Sequence, residues 1–149
     1  MTAPSPHDLF IRIAEPGPDR DACFAIRREV FVVEQNVPQA IEYDAFDRAA
    51  VHLLARRSGM PVGCARWIRH GDVARIGRVA VVRFARGQGI GAALMHRALE
   101  TVAEAGFRNA ILHAQVATRS FYAALGFVAE GPEFVEAGIP HVLMRKELP

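Results

Sequence analysis

Residues 79–94 read VAVVRFARGQGIGAAL, which is an apolar segment, a short basic connection, a glycine-rich turn and then a run of good helix formers. The β-branched and small residues at 79–82 are typical of a buried strand. The turn that follows contains three glycines, Gly87, Gly89 and Gly91. Because glycine has no Cβ, the backbone can bend sharply there and approach a ligand closely. The pattern predicts a strand, a tight turn and a helix in direct succession.

The helix predicted from residue 90 onward places its apolar residues on one face at helical spacing. Those residues are Ile90, Leu94, Ala98 and Val102. A helix that begins at the turn directs unpaired backbone N–H groups, and the positive end of its dipole, toward one point. With Arg86 adding positive charge beside it, the turn predicts a phosphate-binding site built mainly of backbone.

Two known phosphate-binding motifs, and a loop without any ligand, are alternatives for this turn. A strand–helix loop that binds nothing would also contain glycines. The P-loop motif requires a lysine at the end of the turn, whereas the single lysine of this chain is Lys146. The dinucleotide motif requires an acidic residue about 20 residues further on, and the next predicted strand, residues 110–115, contains no acidic residue.

A third comparison fits more of the chain. The pattern R-x-x-G-x-G at residues 86–91 resembles the acetyl-CoA motif of the GNAT N-acetyltransferases. Residues 120–127, SFYAALGF, resemble the second signature of that superfamily, a short helix that carries a tyrosine and ends in Gly-Phe. Residues 28–35 (REVFVVEQ) and 138–141 (GIPH) are similar to a bacterial branch, the ElaA/YjcF-like proteins. Together the similar segments span residues 27–144.

The order of predicted elements is that of a mixed α/β (α+β) fold. Strands are predicted at residues 9–14, 51–57, 62–70, 73–82, 110–115, 127–136 and 139–147. Helices are predicted from an N-cap at Asp19 to Val33, at 90–105 and at 118–125. The buried stripe predicted for the first helix is Cys23, Ile26, Val30 and Val33. The resemblance implies a mostly antiparallel sheet of six to seven strands with helices on both faces, and a central parallel strand pair that splays apart.

Length and composition predict a single domain over residues 1–149, with residues 1–8 as a flexible tail. The net charge is +2 and no basic run occurs, which predicts no nucleic-acid partner. Residues 1–6 lack the basic and apolar segments of a signal peptide, and no apolar segment of about 20 residues occurs, so we expect no membrane association and a cytoplasmic location. Cys23 and Cys64 are isolated and are expected to be small buried residues. No metal site is expected, because the histidines lack metal-ligand spacing.

The resemblance also implies roles for individual residues. It implies that Tyr122 is the general acid for the leaving thiolate, whereas the alternative is a core aromatic residue without a catalytic role. A backbone N–H within residues 79–81 would stabilise the thioester oxygen. The residues implied to bind acetyl-CoA are Val79, Ala80, Val81, Arg86, Gly87, Gln88, Gly89, Ile90, Gly91, Ala92, Gln115 and Ser120.

Several side chains are candidates for the base that removes a proton from the acceptor amine. They are His113, Glu34 and His141, followed by Asp44 and Glu136. An imidazole can accept a proton near neutral pH, and His113 leaves its predicted strand on the same face as Gln115. A structural role for each histidine, a surface position for Glu34, and a chain of water molecules acting as the base are the alternatives.

Together these features predict an N-acetyltransferase that moves an acetyl group from acetyl-CoA to a primary amine by direct attack. Neither signature contains a cysteine, which agrees with transfer without a covalent acyl-enzyme. The alternative is an acyl-CoA-binding sensor or interaction module without turnover. The acceptor is not identified, although the acidic residues Glu42, Asp44 and Asp47 favour a cationic amine. Exposed sheet edges would permit a homodimer.

Overall fold

Across residues 8–149, the part of the chain that the computed structural model describes, seven strands form one sheet. In chain order they are β1 (Leu9–Ile13), β2 (Val51–Arg57), β3 (Met60–His70), β4 (Val73–Val81), β5 (Asn109–Gln115), β6 (Val128–Glu136) and β7 (Ile139–Glu147). Their spatial order is β1-β2-β3-β4-β5-β7-β6, and every neighbouring pair is antiparallel except β4–β5. This confirms the predicted mixed sheet. Of the predicted tail, residues 1–7 lie outside the described residues.

Four α-helices accompany the sheet in the described residues. They are α1 (Pro18–Arg27), α2 (Gln39–Glu42), α3 (Ile90–Glu104) and α4 (Arg119–Ala124), and none of them is long and apolar enough to cross a membrane. The predicted N-cap at Asp19 is wrong, because α1 begins after Gly17 with Pro18 in its first turn. The Asp19 carboxylate instead accepts hydrogen bonds from Arg56 at 2.7 Å and Arg12 at 3.1 Å.

The chain continues from α1 into a π-helical segment, Arg28–Glu34, rather than into more α-helix. The wider turn is visible where the Gln35 N–H donates to the carbonyl five residues earlier, on Val30, at 3.2 Å. This change of pitch moves the buried face, so that Val30 stays buried while Val33 is 64% exposed. The predicted burial of Val33 is therefore wrong. Such π-helical insertions are frequent at functional sites.

Two consecutive residues of β3 show that α1 and α3 cover opposite faces of the sheet. A Cβ placed on Gly63 would lie 2.9 Å from Leu94 of α3. The next residue, Cys64, donates its thiol to the carbonyl of Cys23 in α1 at 3.7 Å. Because successive strand residues point to opposite faces, helices on both faces are confirmed. Cys23 and Cys64 are buried and free, as predicted. The predicted apolar face of α3 is also buried; it comprises Ile90, Leu94, Ala98 and Val102.

The parallel pairing of β4 with β5 is short. It joins Ala74–Ile76 to residues 110–112, and β4 has no β5 partner from Gly77 onward. On its other side β4 stays paired with β3, but the register shifts at this point, where Arg78 has a φ of 53°. A β-bulge of this kind bends a strand and increases its twist. The two central strands therefore splay apart, as the resemblance implies, and leave a groove between them.

A buried network of three arginines and three carboxylates fastens the segment between α2 and β2 to the sheet. Its members are Arg27, Arg66, Arg78, Glu42, Asp44 and Asp47. The Arg27 side chain is only 1% exposed and donates to both Glu42 and Asp47 at 2.7 Å. Burial alone would raise the pKa of Asp47, but hydrogen bonds from Arg27 and then Arg66 outweigh it and hold the pKa below its usual value. We call this group the arginine–acid network.

The close contact at Gly63 leads to a first prediction. Gly63→Ala should lower the free energy of unfolding by about 1–3 kcal/mol, because the new methyl group would press on Leu94, Ile90 and the Ala80 carbonyl. Gly77→Ala is the matched control, since a Cβ there meets no atom within 4 Å. Urea denaturation of both variants measures the difference. Equal stability of the two would contradict the packing described for β3 and α3.

A second prediction concerns the arginine–acid network. Arg27→Gln should destabilise the protein by about 3–5 kcal/mol, because it leaves Glu42 and Asp47 buried without their main partner. Arg12→Gln is the control, since Arg12 is an exposed arginine whose ion pair with Asp19 contributes at most about 1 kcal/mol. Both values come from urea denaturation at neutral pH. A loss below 1 kcal/mol for Arg27→Gln would show that the network is not needed for stability.

Candidate active site

Two adjoining cavities occupy the groove where β4 and β5 separate. The larger has a volume of about 610 Å³ and extends from the π-helical segment to the β6–β7 hairpin. The smaller, of about 470 Å³, lies beside the glycine-rich turn and the beginning of α3. Both are lined by Val79, Val81, Arg86, Thr118 and Tyr122. A ligand that filled the smaller cavity would therefore reach the larger one at Tyr122 and the end of β4.

The glycine-rich turn forms one wall of the smaller cavity. Gly87 and Gly89 both have a φ of 79°, a left-handed conformation that favours glycine, and Gly89 is the N-cap of α3. The Ala93 N–H donates to the Gly89 carbonyl at 3.1 Å. The N–H groups of residues 90–92 precede this bond, and so they have no partner within the helix. The turn has the shape and polarity of an anion-binding site, which fits a diphosphate.

The predicted acetyl-CoA residues are mostly found together. Those that line the smaller cavity are Val79, Val81, Arg86, Gly87, Gly89, Ile90, Gly91 and Ala92. Ala80 and Gln115 line only the larger cavity, whereas Gln88 and Ser120 line neither. Gln88 instead accepts a hydrogen bond from Arg57 at 2.6 Å. Ala85, Thr118 and Phe121 also line the smaller cavity but are not among the predicted residues.

Arg86 is engaged with the protein itself. Its Nε donates to the Val81 carbonyl at 2.9 Å, and its Nη2 donates to the Glu34 carboxylate at 3.0 Å. The side chain therefore ties the glycine-rich turn to the end of β4 and to the π-helical segment. The hydrogen bond from Arg86 is also the main reason that the pKa of Glu34 lies below its usual value. Glu34 lines the larger cavity, but a carboxylate held in this way is a weak proton acceptor.

Tyr122 stands at the junction of the two cavities on α4. Its ring packs edge-on against Phe121 and Phe127, with centroids 4.9 and 6.2 Å away. Burial raises the pKa of Tyr122 to about 12, so the phenol stays protonated at neutral pH. No residue in 8–149 forms a hydrogen bond with its hydroxyl group. The C-terminal end of α4 is held in place by Lys146, which donates to the Leu125 carbonyl at 2.9 Å.

Gln115, at the end of β5, forms a pair of hydrogen bonds with Gln35. Its Nε2 donates to the Gln35 Oε1 at 2.9 Å, and the Gln35 Nε2 donates back at 3.4 Å. The amide therefore connects β5 to the segment that follows the π-helical turns. The two hydrogen bonds use one N–H and one lone pair of Gln115, so a second N–H and a second lone pair remain for a ligand.

At the other end of the larger cavity, the sheet order brings His113, Glu136 and His141 together. The His113 Nδ1 lies 3.1 Å from the Glu136 Oε1, and the His141 Nε2 lies 3.7 Å from the Glu136 Oε2. The hydrogen bond from His113 is the main reason that the pKa of Glu136 is lowered. Arg75, not a predicted site residue, places its Nη2 3.0 Å from the same His113 Nδ1.

A single ring nitrogen cannot satisfy both of these neighbours of His113. Arg75 can only donate a hydrogen bond, whereas the Glu136 carboxylate can only accept one. If Nδ1 accepts from Arg75, the proton of the neutral ring is on Nε2. If Nδ1–H donates to Glu136, Nε2 carries a lone pair and can accept a proton from a ligand.

The acidic segment, which contains Glu42, Asp44 and Asp47, does not present an unpaired carboxylate to the larger cavity. Glu42 and Asp44 line the cavity, but each is bound by arginines of the arginine–acid network. Asp47 is buried behind them, between Arg27 and Arg66. The sequence pattern that favours a cationic amine is therefore explained by an internal structural role for these three residues.

Comparisons with known proteins agree with this geometry. The family model described as "Acetyltransferase (GNAT) domain" matches residues 14–148. The uncharacterized N-acetyltransferase YjcF of Bacillus subtilis is 35% identical over 125 residues, which cover 83% of this chain and 89% of YjcF. Protein ElaA of Escherichia coli is 35% identical over 132 residues, covering 85% of this chain and 86% of ElaA.

A solved structure extends the similarity to three dimensions. The crystal structure of an acyl-CoA N-acyltransferase from Pseudomonas aeruginosa superposes with a TM-score of 0.82 at 34% identity. The superposition covers 93% of this chain and 98% of that one. With the splayed β4–β5 pair, the glycine-rich turn and the second signature in place, the predicted family is confirmed. The chain belongs to the GNAT acetyltransferase family, in the branch that includes YjcF and ElaA.

Proposed function

We propose that this protein is an N-acetyltransferase that moves an acetyl group from acetyl-CoA to a primary amine by direct attack. The observation that supports this most strongly is that the two cavities meet at Tyr122 and Val81. One has a wall suited to a diphosphate, and the other contains ionisable side chains that can bind and deprotonate an amine. A transfer reaction needs such a meeting point, because the two substrates must react without being released.

Acetyl-CoA is the acyl donor in this proposal, and backbone groups would hold most of it. The unpaired N–H groups at residues 90–92 bind the diphosphate. The edge of β4 from Gly77 to Val81, which has no β5 partner, offers main-chain groups to the amides of the pantetheine arm. Few side chains are needed for this binding, in agreement with the small and apolar residues at 79–82 and 89–94.

The chemical step forms a C–N bond between the amine nitrogen and the thioester carbonyl carbon and breaks the C–S bond. A backbone N–H near the end of β4 stabilises the negative charge that develops on the carbonyl oxygen. Tyr122 donates its phenolic proton to the leaving thiolate, a role suited to a hydroxyl group that remains protonated at neutral pH. The amine gives up its proton to a base, so the reaction conserves charge and protons.

His113 is the base that the geometry favours among the first three of the five predicted candidates, which are His113, Glu34 and His141. With Nδ1–H donating to Glu136, its Nε2 lone pair is available to the amine. Glu34 is held by Arg86, and its lowered pKa makes it a weak base. Both ring nitrogens of His141 already face oxygen atoms, the Ile139 carbonyl at 2.6 Å and Glu136 at 3.7 Å.

Thiol release from acetyl-CoA in the presence of a panel of primary amines tests the proposed transfer. A third prediction is that Tyr122→Phe lowers kcat by about 100-fold or more, while acetyl-CoA still raises the melting temperature as in the wild type. Tyr43→Phe is the control at the only other tyrosine, since Tyr43 lines neither cavity and its hydroxyl donates to the Phe24 carbonyl. If acetyl-CoA stabilised the protein but no amine released thiol, the sensor alternative would be favoured.

A fourth prediction separates the candidate bases. His113→Asn should lower kcat by about 100-fold at neutral pH. The loss should shrink as the pH rises, because more of the amine is then deprotonated in solution. Glu34→Gln should have a smaller effect, since Gln can still accept a hydrogen bond from Arg86. Steady-state rates across the pH range measure both variants, and a larger loss for Glu34→Gln would assign the base to Glu34 instead.

A further inference from the structure

The wall of the larger cavity contains no carboxylate that is left free for an acceptor, within the described residues. Glu42 and Asp44 each lie 2.7 Å from an arginine of the arginine–acid network. Glu34 lies 3.0 Å from Arg86, and Glu136 lies 3.1 Å from the His113 ring. A second cationic group on the acceptor would have to share one of these carboxylates with its present partner. The binding groups that remain available are therefore of the opposite charge.

Arg75 is the first of these groups. Only its Nη2 is engaged, at 3.0 Å from the His113 Nδ1 and 3.5 Å from the Glu136 Oε1. Its Nε and Nη1 form no hydrogen bond with any residue in 8–149. The side chain is 25% exposed and lines the larger cavity. Arg75 therefore has donors that a ligand in the cavity can use.

Arg78 is the second group in the wall of the larger cavity that is available to a ligand. Its contacts with Glu42 and Asp44 are both 3.2 Å, longer than the closest contacts of Arg27 and Arg66, and its Nη1 has no partner in the described residues. Burial lowers the pKa of Arg78, whereas the hydrogen bonds that Arg27 and Arg66 donate to carboxylates outweigh burial and raise the pKa of each. The Nε and Nη2 of Arg78 also donate to the Glu42 and Ile41 carbonyls at 3.3 Å, so Nη1 is the donor group that Arg78 can offer to a ligand.

The wall between these two arginines is open. Gly77 lies between them in the chain, and a Cβ placed on it would meet no atom within 4 Å. No β5 residue pairs with this part of β4 either. Neither a side chain at residue 77 nor a β5 residue therefore covers β4 between the two arginines.

We propose that Arg75 and Arg78 form a carboxylate-binding subsite, and that the acceptor is an amine that carries a carboxylate, as a free amino acid does. This inference rests on the proposed acetyl transfer. The planar fork of a guanidinium group matches a carboxylate in geometry and charge. Four arginines and four carboxylates line the larger cavity, so its charge is balanced. Because the positive and negative side chains of the wall are equal in number, the cavity suits the single negative charge of a carboxylate better than the double negative charge of a phosphate.

The subsite also bears on the base. When the Arg75 Nη2 donates to the His113 Nδ1, 3.0 Å away, the proton of the neutral ring is on Nε2. An acceptor carboxylate would draw the Arg75 donors toward itself. The His113 Nδ1–H could then donate to Glu136, and the Nε2 lone pair would face the amine. Binding of the acceptor carboxylate would therefore favour the tautomer of His113 that can accept the proton of the amine.

The fifth prediction compares amino acids with the amines left by their decarboxylation. The pairs are phenylalanine and phenethylamine, tyrosine and tyramine, histidine and histamine, and lysine and cadaverine, each assayed by thiol release from acetyl-CoA. The wild type should prefer the acid of a reactive pair by at least about 10-fold in kcat/KM. Arg75→Gln should reduce this preference by about 10- to 100-fold, mainly through the KM of the acid. Arg78→Gln should act in the same direction.

The controls separate recognition from folding. Arg97→Gln removes an arginine of α3 that pairs with Glu100 and lines neither cavity, so the preference should be unchanged. Arg75 lies outside the arginine–acid network, and acetyl-CoA should still raise the melting temperature of Arg75→Gln. A readout without turnover is calorimetric titration of the preferred amino acid into protein saturated with CoA, in which Arg75→Gln should weaken binding by about 10-fold.

The outcomes that would overturn the inference are distinct from those that would overturn the acetyl transfer. Equal or faster reaction of the decarboxylated amines, or a preference for phosphoethanolamine, would overturn the carboxylate subsite alone. A preference for the acid that survives in Arg75→Gln and Arg78→Gln would do the same. If no amine of any kind released thiol while acetyl-CoA still bound, the proposed transfer would fail, and this inference would fail with it.

Discussion

The early end of the parallel pairing between β4 and β5 is the constraint on which the rest of the structure depends. β4 remains paired with β3 as far as Val81, so its position is fixed although one of its edges is free. The bulge at Arg78 reconciles the two conditions, because it bends the strand away from β5 without detaching it from β3. Unpaired main-chain groups away from water are unfavourable unless something satisfies them. A ligand with amide groups would therefore stabilise the groove by forming hydrogen bonds with the unpaired main-chain groups of β4.

The same bulge links the groove to the arginine–acid network. Arg78 leaves the strand at this point and reaches Glu42 and Asp44, which belong to the segment that closes one side of the larger cavity. Buried charges are costly to desolvate, and the cost is offset only where every ion has well-placed partners. Here each carboxylate of the network is paired with an arginine, whereas Arg75 and Arg78 keep donors that no described residue uses. Glu42, Asp44 and Asp47 make this segment look acidic in the sequence. In the folded protein, the groups that the wall of the larger cavity can offer to a ligand are hydrogen-bond donors.

The remaining chemical groups are assembled from distant parts of the chain by the order of the strands. Because β7 lies between β5 and β6, His113, His141 and Glu136 meet at one end of the larger cavity although they come from three strands. Tyr122 reaches the junction of the cavities from α4, whose end is held by Lys146 of β7. The hairpin of β6 and β7 therefore positions both ends of the proposed reaction path.

The sequence by itself determined the glycine-rich turn, the buried face of α3, the positions of the strands along the chain, the two family signatures and most of the residues that line the smaller cavity. These follow from patterns within about 15 residues, where spacing alone sets which side chains share a face. It did not determine the partners of Asp19, Glu34 and Gln88, or the exposure of Val33. Those depend on a π-helical turn, a bulge and contacts between residues far apart in the chain. Only the tertiary structure decided that arginines of the same chain would pair with the acidic segment and that Arg75 would line the larger cavity. Strand register and bulges determine these contacts between distant residues, and no local sequence pattern encodes them.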